Sequence, residues 1–249
     1  MSTAIIGGFL AASTLSADAA TYGGQSTGSV SFKSGTLVIP PIDPPIDPPV
    51  DPPASDFGLL YVPKEFNFAE TVVPTTTVTT PTQIAIDTDW EGSPATDTSG
   101  AAGSNTAKKN FAVGDVRGKR AAGWKLEAKL TSDLQDSGTS KTLTGATITM
   151  TQGINELTPT TWAETPTTAG AGANTPDVVT SSVSLSTTSS LIMSAAAESS
   201  LNAGDGRGEG YWQGEFTNIK LNVPAAAMNA VAAGEQYAGT VDWTLTDSI

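Results

Sequence analysis

The chain has 249 residues, a net charge of −13, no cysteine and no histidine. Without these two residue types it has no disulfide bonds, no zinc sites built from Cys or His, and no Cys-His or Ser-His nucleophile pair. The negative charge repels free nucleic acid and anionic membranes, so we expect neither as a partner. Thr, Ser, Ala and Gly dominate while long helix formers are sparse, which favours an all-β protein of one domain with appendages.

The N-terminus resembles a signal peptide. An apolar run over 4–12 is too short to span a bilayer, and the small residues Ala17 and Ala19 suit signal peptidase. We therefore expect 1–19 to be a signal peptide and the mature chain to begin near Ala20. The basic segment that normally precedes such a run is missing, so either the true start lies upstream of Met1 or this run is an ordinary apolar strand.

The next two segments differ sharply in composition. Residues 20–39 are strand-like but too short to fold alone. Residues 40–55 carry a four-residue repeat of two prolines, an apolar residue and an aspartate, which predicts a polyproline II spacer of roughly 40 Å at about 3.1 Å per residue. The first segment then either folds back onto the main domain or adds as a strand to a partner's sheet.

The remaining residues, 56–249, are predicted to form one β domain. Short alternating runs separated by Gly, Pro, Ser and Thr turns indicate a β-sandwich or barrel-like fold. Two alanine-rich stretches, 190–201 and 225–233, are possible exceptions. Each can form a turn or two of helix, and Gly234 would suit the C-cap of the second.

A tryptophan and a leucine two residues apart occur twice, as Trp124 and Leu126 and again as Trp243 and Leu245. In both stretches apolar residues alternate with polar ones, so the ring and the aliphatic side chain share the buried face of a strand. The two tryptophans lie 119 positions apart (243 − 124). We therefore predict two strands of one core, not a short tandem repeat.

These two motifs, the second preceded by Tyr237, resemble the WxL domain of Gram-positive surface proteins. Further stretches that agree are the run from Asp115 to Trp124, which leads into the first motif, and Gly210 to Trp212. The resemblance covers nearly the whole chain. It implies a secreted protein, retained at the cell surface by non-covalent attachment to peptidoglycan or another wall polymer.

The resemblance also implies partners and required residues. Such proteins usually belong to surface complexes with other WxL proteins and a membrane-anchored partner. The resemblance makes the motif residues necessary for wall association, whereas their alternation favours a place in the core. The chain ends at Ile249 without a sorting signal or a hydrophobic tail, so we expect no direct membrane insertion.

Aromatic side chains are the candidates for glycan contacts. A ring held at a loop surface can pack against the apolar face of a sugar, while nearby polar groups fix its orientation. Four such residues are predicted to lie in or beside Gly/Thr-rich loops: Trp90, Trp162, Tyr211 and Trp212. For Trp212 the alternative is that it caps the sandwich.

Residues 108–129 form a basic window. They hold seven of the twelve basic residues against two acidic ones, a local charge of +5 (7 − 2). The window is either a solvated loop and strand face or a docking surface for an anionic wall polymer or an acidic partner. Its candidate contacts are Lys108, Lys109, Arg117, Lys119 and Arg120.

Enzyme activity is the weaker hypothesis. A glycosidase needs only two carboxylates, but no pair of acids stands out and only 6% of the chain is aromatic. We therefore expect no catalytic residues, no cofactor and no metal site. The alternative to wall binding is a structural or adhesive subunit of a surface assembly, which binds a partner protein by strand addition.

Overall fold

The computed structural model describes residues 21–33, 57–87, 108–117, 123–158, 163–196 and 207–248. The regular secondary structure in these ranges is almost entirely β-strand, with one helix of four residues, so the all-β prediction is confirmed. None of their helices is long and apolar enough to cross a membrane. The elements in chain order are β1 (Thr21–Lys33), β2 (Phe57–Tyr61), β3 (Glu65–Asn67), β4 (Thr71–Val72), β5 (Thr82–Ala85), β6 (Lys109–Asp115), β7 (Gly123–Leu130), β8 (Gln135–Asp136), β9 (Thr147–Leu157), β10 (Glu164–Thr167), β11 (Val178–Val179), β12 (Ser182–Leu185), β13 (Ser190–Ala195), β14 (Gly210–Val223), α1 (Ala225–Met228) and β15 (Gln236–Ser248).

The strands form two sheets. The first has the order β11-β13-β7-β15-β1-β3, with β4 on β1 and β8 on β15, and the second has the order β10-β9-β14-β6-β2, with β12 on β9 and β5 on β14. The two motif strands, β7 and β15, are antiparallel neighbours in the first sheet, and Leu126 lies opposite Leu245. Two motifs far apart in the sequence therefore meet on one ladder.

One apolar core fills the space between the sheets. Phe111 and Phe216 of the second sheet meet Trp243 of the first, with ring centroids 5.9 and 6.0 Å from that of Trp243. Gly214 leaves room for this packing, because a Cβ there would stand 2.0 Å from the Phe111 ring. Tilted rings at these distances add to the stabilisation that comes from burying their area.

The N-terminal strand β1 lies inside the first sheet. It pairs antiparallel with β15 from Thr21 opposite Thr246 to Ser31 opposite Gln236, and it pairs parallel with β3 and β4. Of the two roles that the sequence leaves open for this segment, the structure has residues 21–33 folded back onto the main domain. The polyproline II spacer predicted for 40–55 lies outside the described residues and stays a prediction.

The helix considered possible within 190–201 is absent from the described part of that stretch. Residues 190–195 form β13, which pairs with β7, and Ile192 and Met193 are fully buried in the core. Cross-strand pairing and burial therefore override the helical propensity of an Ala/Ser-rich segment. Residues 197–201 lie outside the described ranges.

The helix expected within 225–233 is present but shorter. It ends at Met228 with Asn229 as its C-cap, so Gly234 does not cap it. Gly234 instead has a φ of +87° in the turn that leads into β15. Only glycine adopts such a backbone conformation without strain, which explains its place in that turn.

A buried carboxylate precedes β15 at one end of the first sheet. Glu235 accepts hydrogen bonds from the Tyr237 hydroxyl at 2.7 Å and the Ala232 N–H at 2.8 Å, and it pairs with Lys141 Nζ at 2.6 Å. Burial alone would raise the pKa of Glu235, but the bonds from Lys141, Tyr237 and Ala232 outweigh it and lower this pKa. Burial, together with the bond to Glu235, raises the pKa of Tyr237.

Asp136 fixes the neighbouring turn in a similar way. Its carboxylate accepts bonds from the Thr139 hydroxyl at 2.7 Å, the Thr139 N–H at 2.6 Å and the Gln236 N–H at 2.7 Å. The Thr139 hydroxyl is the main cause of a lowered pKa at Asp136, followed by the Gln236 N–H. The ionised carboxylate thus ties this turn to the start of β15.

These shifts predict acid sensitivity. A lowered carboxyl pKa gives stability that is complete above the ordinary value, 4.5 for Glu235 and 3.8 for Asp136, and is lost as the pH falls through the folded value. We expect the free energy of unfolding, measured by urea titration, to decline below about pH 4.5. Glu235→Gln should flatten that decline, while Glu156→Gln, on an exposed side chain, should leave it unchanged. Equal pH profiles for wild type and Glu235→Gln would contradict this account.

Candidate functional site

Trp243 is built into the centre of the core. Its side chain is only 1% exposed, and the indole Nε1 donates a hydrogen bond to the Ser26 hydroxyl at 2.7 Å. That hydroxyl in turn donates to the carbonyl of Pro63. The indole therefore joins β15 to β1 and to the segment after β2, and its polar atom is already satisfied inside the protein.

Trp124 has a comparable place at the other motif. Its Nε1 and that of Trp212 both donate to the carbonyl of Gly208, at 3.4 and 3.1 Å. Gly208 has a φ of +73°, and a Cβ there would stand 2.3 Å from Trp124 Nε1. One tryptophan from each sheet thus converges on a single carbonyl, at a position that only glycine can occupy.

The prediction that Trp212 lies at a loop surface is wrong. It lies inside β14 and is buried, so the alternative interpretation, a structural place in the sandwich, describes it better. The cause is the alternation of β14, which turns Trp212 and Phe216 inward. The motif leucines, Leu126 and Leu245, are also fully buried. The four motif residues are therefore interior groups.

Arg117 is the best-defined member of the basic window. Its guanidinium bonds Asp115 at 2.7 Å and Asp247 at 2.6 Å, and its Cζ lies 4.1 Å from the centroid of the Phe57 ring. The hydrogen bond to Asp115 is the main cause of a raised pKa at Arg117, with Asp247 adding to it against the effect of burial. Only 4% of this side chain is exposed, so the geometry favours a structural role over contact with a polymer.

The other candidate cations are dispersed. Lys108 pairs with Glu215 at 3.0 Å, and Lys109 is buried in β6. Lys119 and Arg120 lie outside the described residues, as do the aromatic candidates Trp90 and Trp162. The described part of the window thus does not gather into an unpaired basic patch, and polymer contact by Lys119 and Arg120 stays a prediction.

Tyr211, the remaining aromatic candidate, lies on the outer surface of the second sheet. The side chains of β14 alternate, so Trp212 and Phe216 face the core while Tyr211, Gln213 and Glu215 lie on the opposite side of the sheet. On that side Tyr211 and Glu215 are half-buried, and Gln213 is covered and only 4% exposed. We call the outward side of β14, with the adjoining residues of β2, β6, β9 and β10, the β14 face. The positions from 211 to 215 span about 13 Å along the strand.

The upper part of the β14 face is partly apolar. Tyr61 and Tyr211 pack against a small cluster formed by Leu60, Ala112 and Leu157, separate from the main core. A Cβ on Gly114 would stand 3.4 Å from the Tyr211 ring, so the ring lies against bare backbone there. Both tyrosines are only partly buried, which leaves part of each ring at the surface.

A hydrogen-bonded row crosses the middle of the face. Asn155 Nδ2 donates to Gln213 Oε1 at 2.9 Å, and Gln213 Nε2 donates to the Tyr61 hydroxyl and to Glu164 Oε1, each at 3.0 Å. Burial is the main cause of a raised pKa at Tyr61, so this phenol stays protonated. The row holds amide, hydroxyl and carboxylate groups in fixed positions across four strands.

The lower part of the face is polar and open. Glu215 lies opposite Asn110 on one side and Gly153 on the other. Asn110 Oδ1 is buried and has no hydrogen-bond partner among the described residues. A Cβ on Gly153 would meet nothing within 4 Å, so the sheet surface is unobstructed at this point.

Sequence reasoning found Tyr211 and Lys108 but missed the groups around them. Gln213, Asn155 and Asn110 are single polar residues on three neighbouring strands. In the sequence, each alone is typical of any solvated sheet face. The alternation of 211–215 was the available signal, since it separates an outward set from the buried Trp212. The pairing of β14 with β6 and β9, which brings the set together, is a tertiary property.

Among the described residues, no group of three or more acidic side chains could hold a metal ion. No curated protein and no solved structure is significantly similar to the chain. A protein-family profile described as "WxL domain surface cell wall-binding" matches residues 19–248. That range includes both motif strands, β1 and the β14 face. The chain therefore belongs to the WxL domain family, a family of cell wall-binding surface domains.

Proposed function

We propose that this chain is a secreted, non-enzymatic protein that attaches non-covalently to the wall of a Gram-positive bacterium by binding peptidoglycan through its WxL domain. The observation that carries the proposal is the family match over 19–248. It covers every described strand, including β1, so the matched region corresponds to both sheets and their shared core. Membership in a wall-binding family supports a wall polymer as the ligand.

The non-enzymatic part of the proposal is supported by how the buried acids are used. Asp115 is paired with Arg117, Glu235 with Lys141, and Asp136 holds backbone and hydroxyl groups of a turn. A glycosidase needs one carboxyl group free to protonate the leaving group and a second facing the same bond. These three carboxylates serve the fold instead.

The alternative function is a structural or adhesive subunit that binds a partner by strand addition, together with other WxL proteins and a membrane-anchored partner. One observation favours it. Among residues 23–31, the part of β1 whose side-chain burial is described, the core-facing positions are Gly24, Ser26, Gly28 and Val30, and only Val30 of these is a large apolar residue. This middle part of the strand is thus held largely through its backbone, the kind of contact on which strand addition depends. Donation to a partner would require β1 to leave its own sheet.

A pelleting assay on purified sacculi tests the proposed function. The full chain is mixed with sacculi with and without teichoic acids, at low and high salt, alongside a Lys119→Ala/Arg120→Ala variant. We expect binding to stripped sacculi that survives salt and is unchanged in the variant, because neutral groups are not screened.

Two results would contradict the proposal. Binding that needs teichoic acid and disappears with salt or in the variant would place the contact in the basic window, with an anionic polymer as the ligand. A folded protein that does not pellet at all would rule out wall binding by this chain alone and favour the partner-dependent alternative. Circular dichroism establishes folding in each case.

A further inference from the structure

The β14 face has the features of a carbohydrate site, and nothing in the family description assigns a site to it. We propose that it binds the glycan strand of the wall, an uncharged chain of N-acetylated sugars, along the line from Tyr211 to Glu215. This inference rests on the proposed function, since it names where and through which chemistry the wall polymer is held.

The charges on the face select against an anionic ligand. Glu164 and Glu215 outnumber Lys108, and Lys108 is already paired with Glu215 at 3.0 Å. The chain as a whole carries a charge of −13. An anionic polymer would be repelled both locally and at long range, whereas a neutral sugar chain would not.

The apolar and polar groups are arranged as a sugar requires. Tyr211 and Tyr61 offer partly exposed rings at one end, suited to the C–H face of a pyranose. Gln213 and Asn155 lie buried beneath the middle of the face, 4% and 7% exposed, and are joined by a hydrogen bond at 2.9 Å. Gln213 in turn holds the Tyr61 hydroxyl and the exposed Glu164 carboxylate in place for the ligand. Groups that are held in place before binding lose little entropy when the ligand arrives, which favours affinity.

The lower end of the β14 face offers a hydrogen-bond acceptor at Asn110 and an unobstructed sheet surface at Gly153. Asn110 Oδ1 is buried without a partner among the described residues, a costly arrangement, and rotation of this half-buried side chain would let the oxygen accept from a ligand N–H or O–H donor. An N-acetyl group carries such an N–H beside a carbonyl and a methyl. Gly153, across from Glu215, lets that group approach the backbone, because no side chain stands there.

The first variant blocks the unobstructed surface at Gly153 without removing any contact that holds the fold together. Gly153→Phe places a ring where a Cβ meets nothing within 4 Å, on an exposed strand position, so we expect the variant to fold. Lys129→Phe is the matched control, since it adds the same ring at an exposed position of the first sheet. Tyr211→Ala is the second variant, which removes a ring from the face. Binding of the full chains to stripped sacculi is measured with and without N-acetylglucosamine hexamer as a competitor.

We expect Gly153→Phe and Tyr211→Ala each to weaken binding about tenfold, with Lys129→Phe unchanged and the hexamer competing. If wild type binds but Gly153→Phe and Tyr211→Ala bind as tightly, the face is not the site, and the proposed function stands. If these variants weaken binding but the hexamer does not compete, the ligand class is wrong. If wild type does not bind sacculi, the proposed function itself fails.

Discussion

Trp243→Ala is expected to lower the free energy of unfolding by about 3–5 kcal/mol, the range found when a large aromatic side chain is removed from a packed core. The indole is 1% exposed and packs against Phe111 and Phe216. Its loss opens a cavity between the sheets and leaves the Ser26 hydroxyl without its donor. A domain whose free energy of unfolding is about 5–15 kcal/mol would lose much of that stability.

Urea unfolding followed by circular dichroism measures the loss. Val72→Ala, on a side chain that is 52% exposed, should change stability by less than about 0.5 kcal/mol and serves as the control. Trp243→Phe keeps a ring in the core and gives up only the indole hydrogen bond and part of the area, so we expect a loss of about 1–2 kcal/mol. A Trp243→Ala protein as stable as the wild type would show that the ring does not support the core.

The second large effect is expected at Arg117. Arg117→Met removes the cation that lies between Asp115 and Asp247 and stacks on Phe57. Asp247 is partly exposed and can be hydrated, but the Asp115 side chain is only 2% exposed and would keep a buried charge without its counterion. Breaking such a pair on one side costs about 3–5 kcal/mol.

The double variant Arg117→Met/Asp115→Asn separates charge from packing. It removes both buried charges, so we expect it to be more stable than Arg117→Met alone. Both variants should still be less stable than the wild type. Urea titration of the wild type, Arg117→Met, Asp115→Asn and the double variant forms the comparison. If the double variant loses the full sum of the two single effects, the carboxylate and the guanidinium are not coupled, and Arg117 is available for another role.

The strands around the motifs were predictable because their signal is local. Alternation over 124–130 and 241–245 predicts which side chains face inward, and the structure buries Trp124 and Trp243 accordingly. The carbonyl of Gly208 that receives both Trp124 and Trp212 was not predictable, because it depends on how the two sheets face each other. The Ser190 region was predicted wrongly, since composition there favours helix while pairing with β7 imposes a strand.

In the candidate site too, residues with a local sequence signal were predictable and residues that depend on strand pairing were not. Tyr211 was identified because an aromatic residue beside glycines is a recognisable sign of a binding surface. Trp212, its neighbour, follows a glycine-rich stretch that favours a loop, whereas the period of two along β14 puts it on the same buried side as Phe216. Gln213 and Asn155 became meaningful only once the register placed them side by side. Single polar residues carry no such information before the strands are paired.

The affinity of Trp243→Phe for stripped sacculi tests most directly whether the motif tryptophan builds the core or contacts the wall. In this account Trp243 builds the core and does not touch the ligand, so a folded Trp243→Phe protein should bind within about twofold of the wild type, a difference of roughly 0.4 kcal/mol. Circular dichroism and the urea midpoint establish that the variant is folded under the assay conditions. A tenfold or greater loss of binding by the folded variant would contradict the account and make the indole itself part of the wall contact.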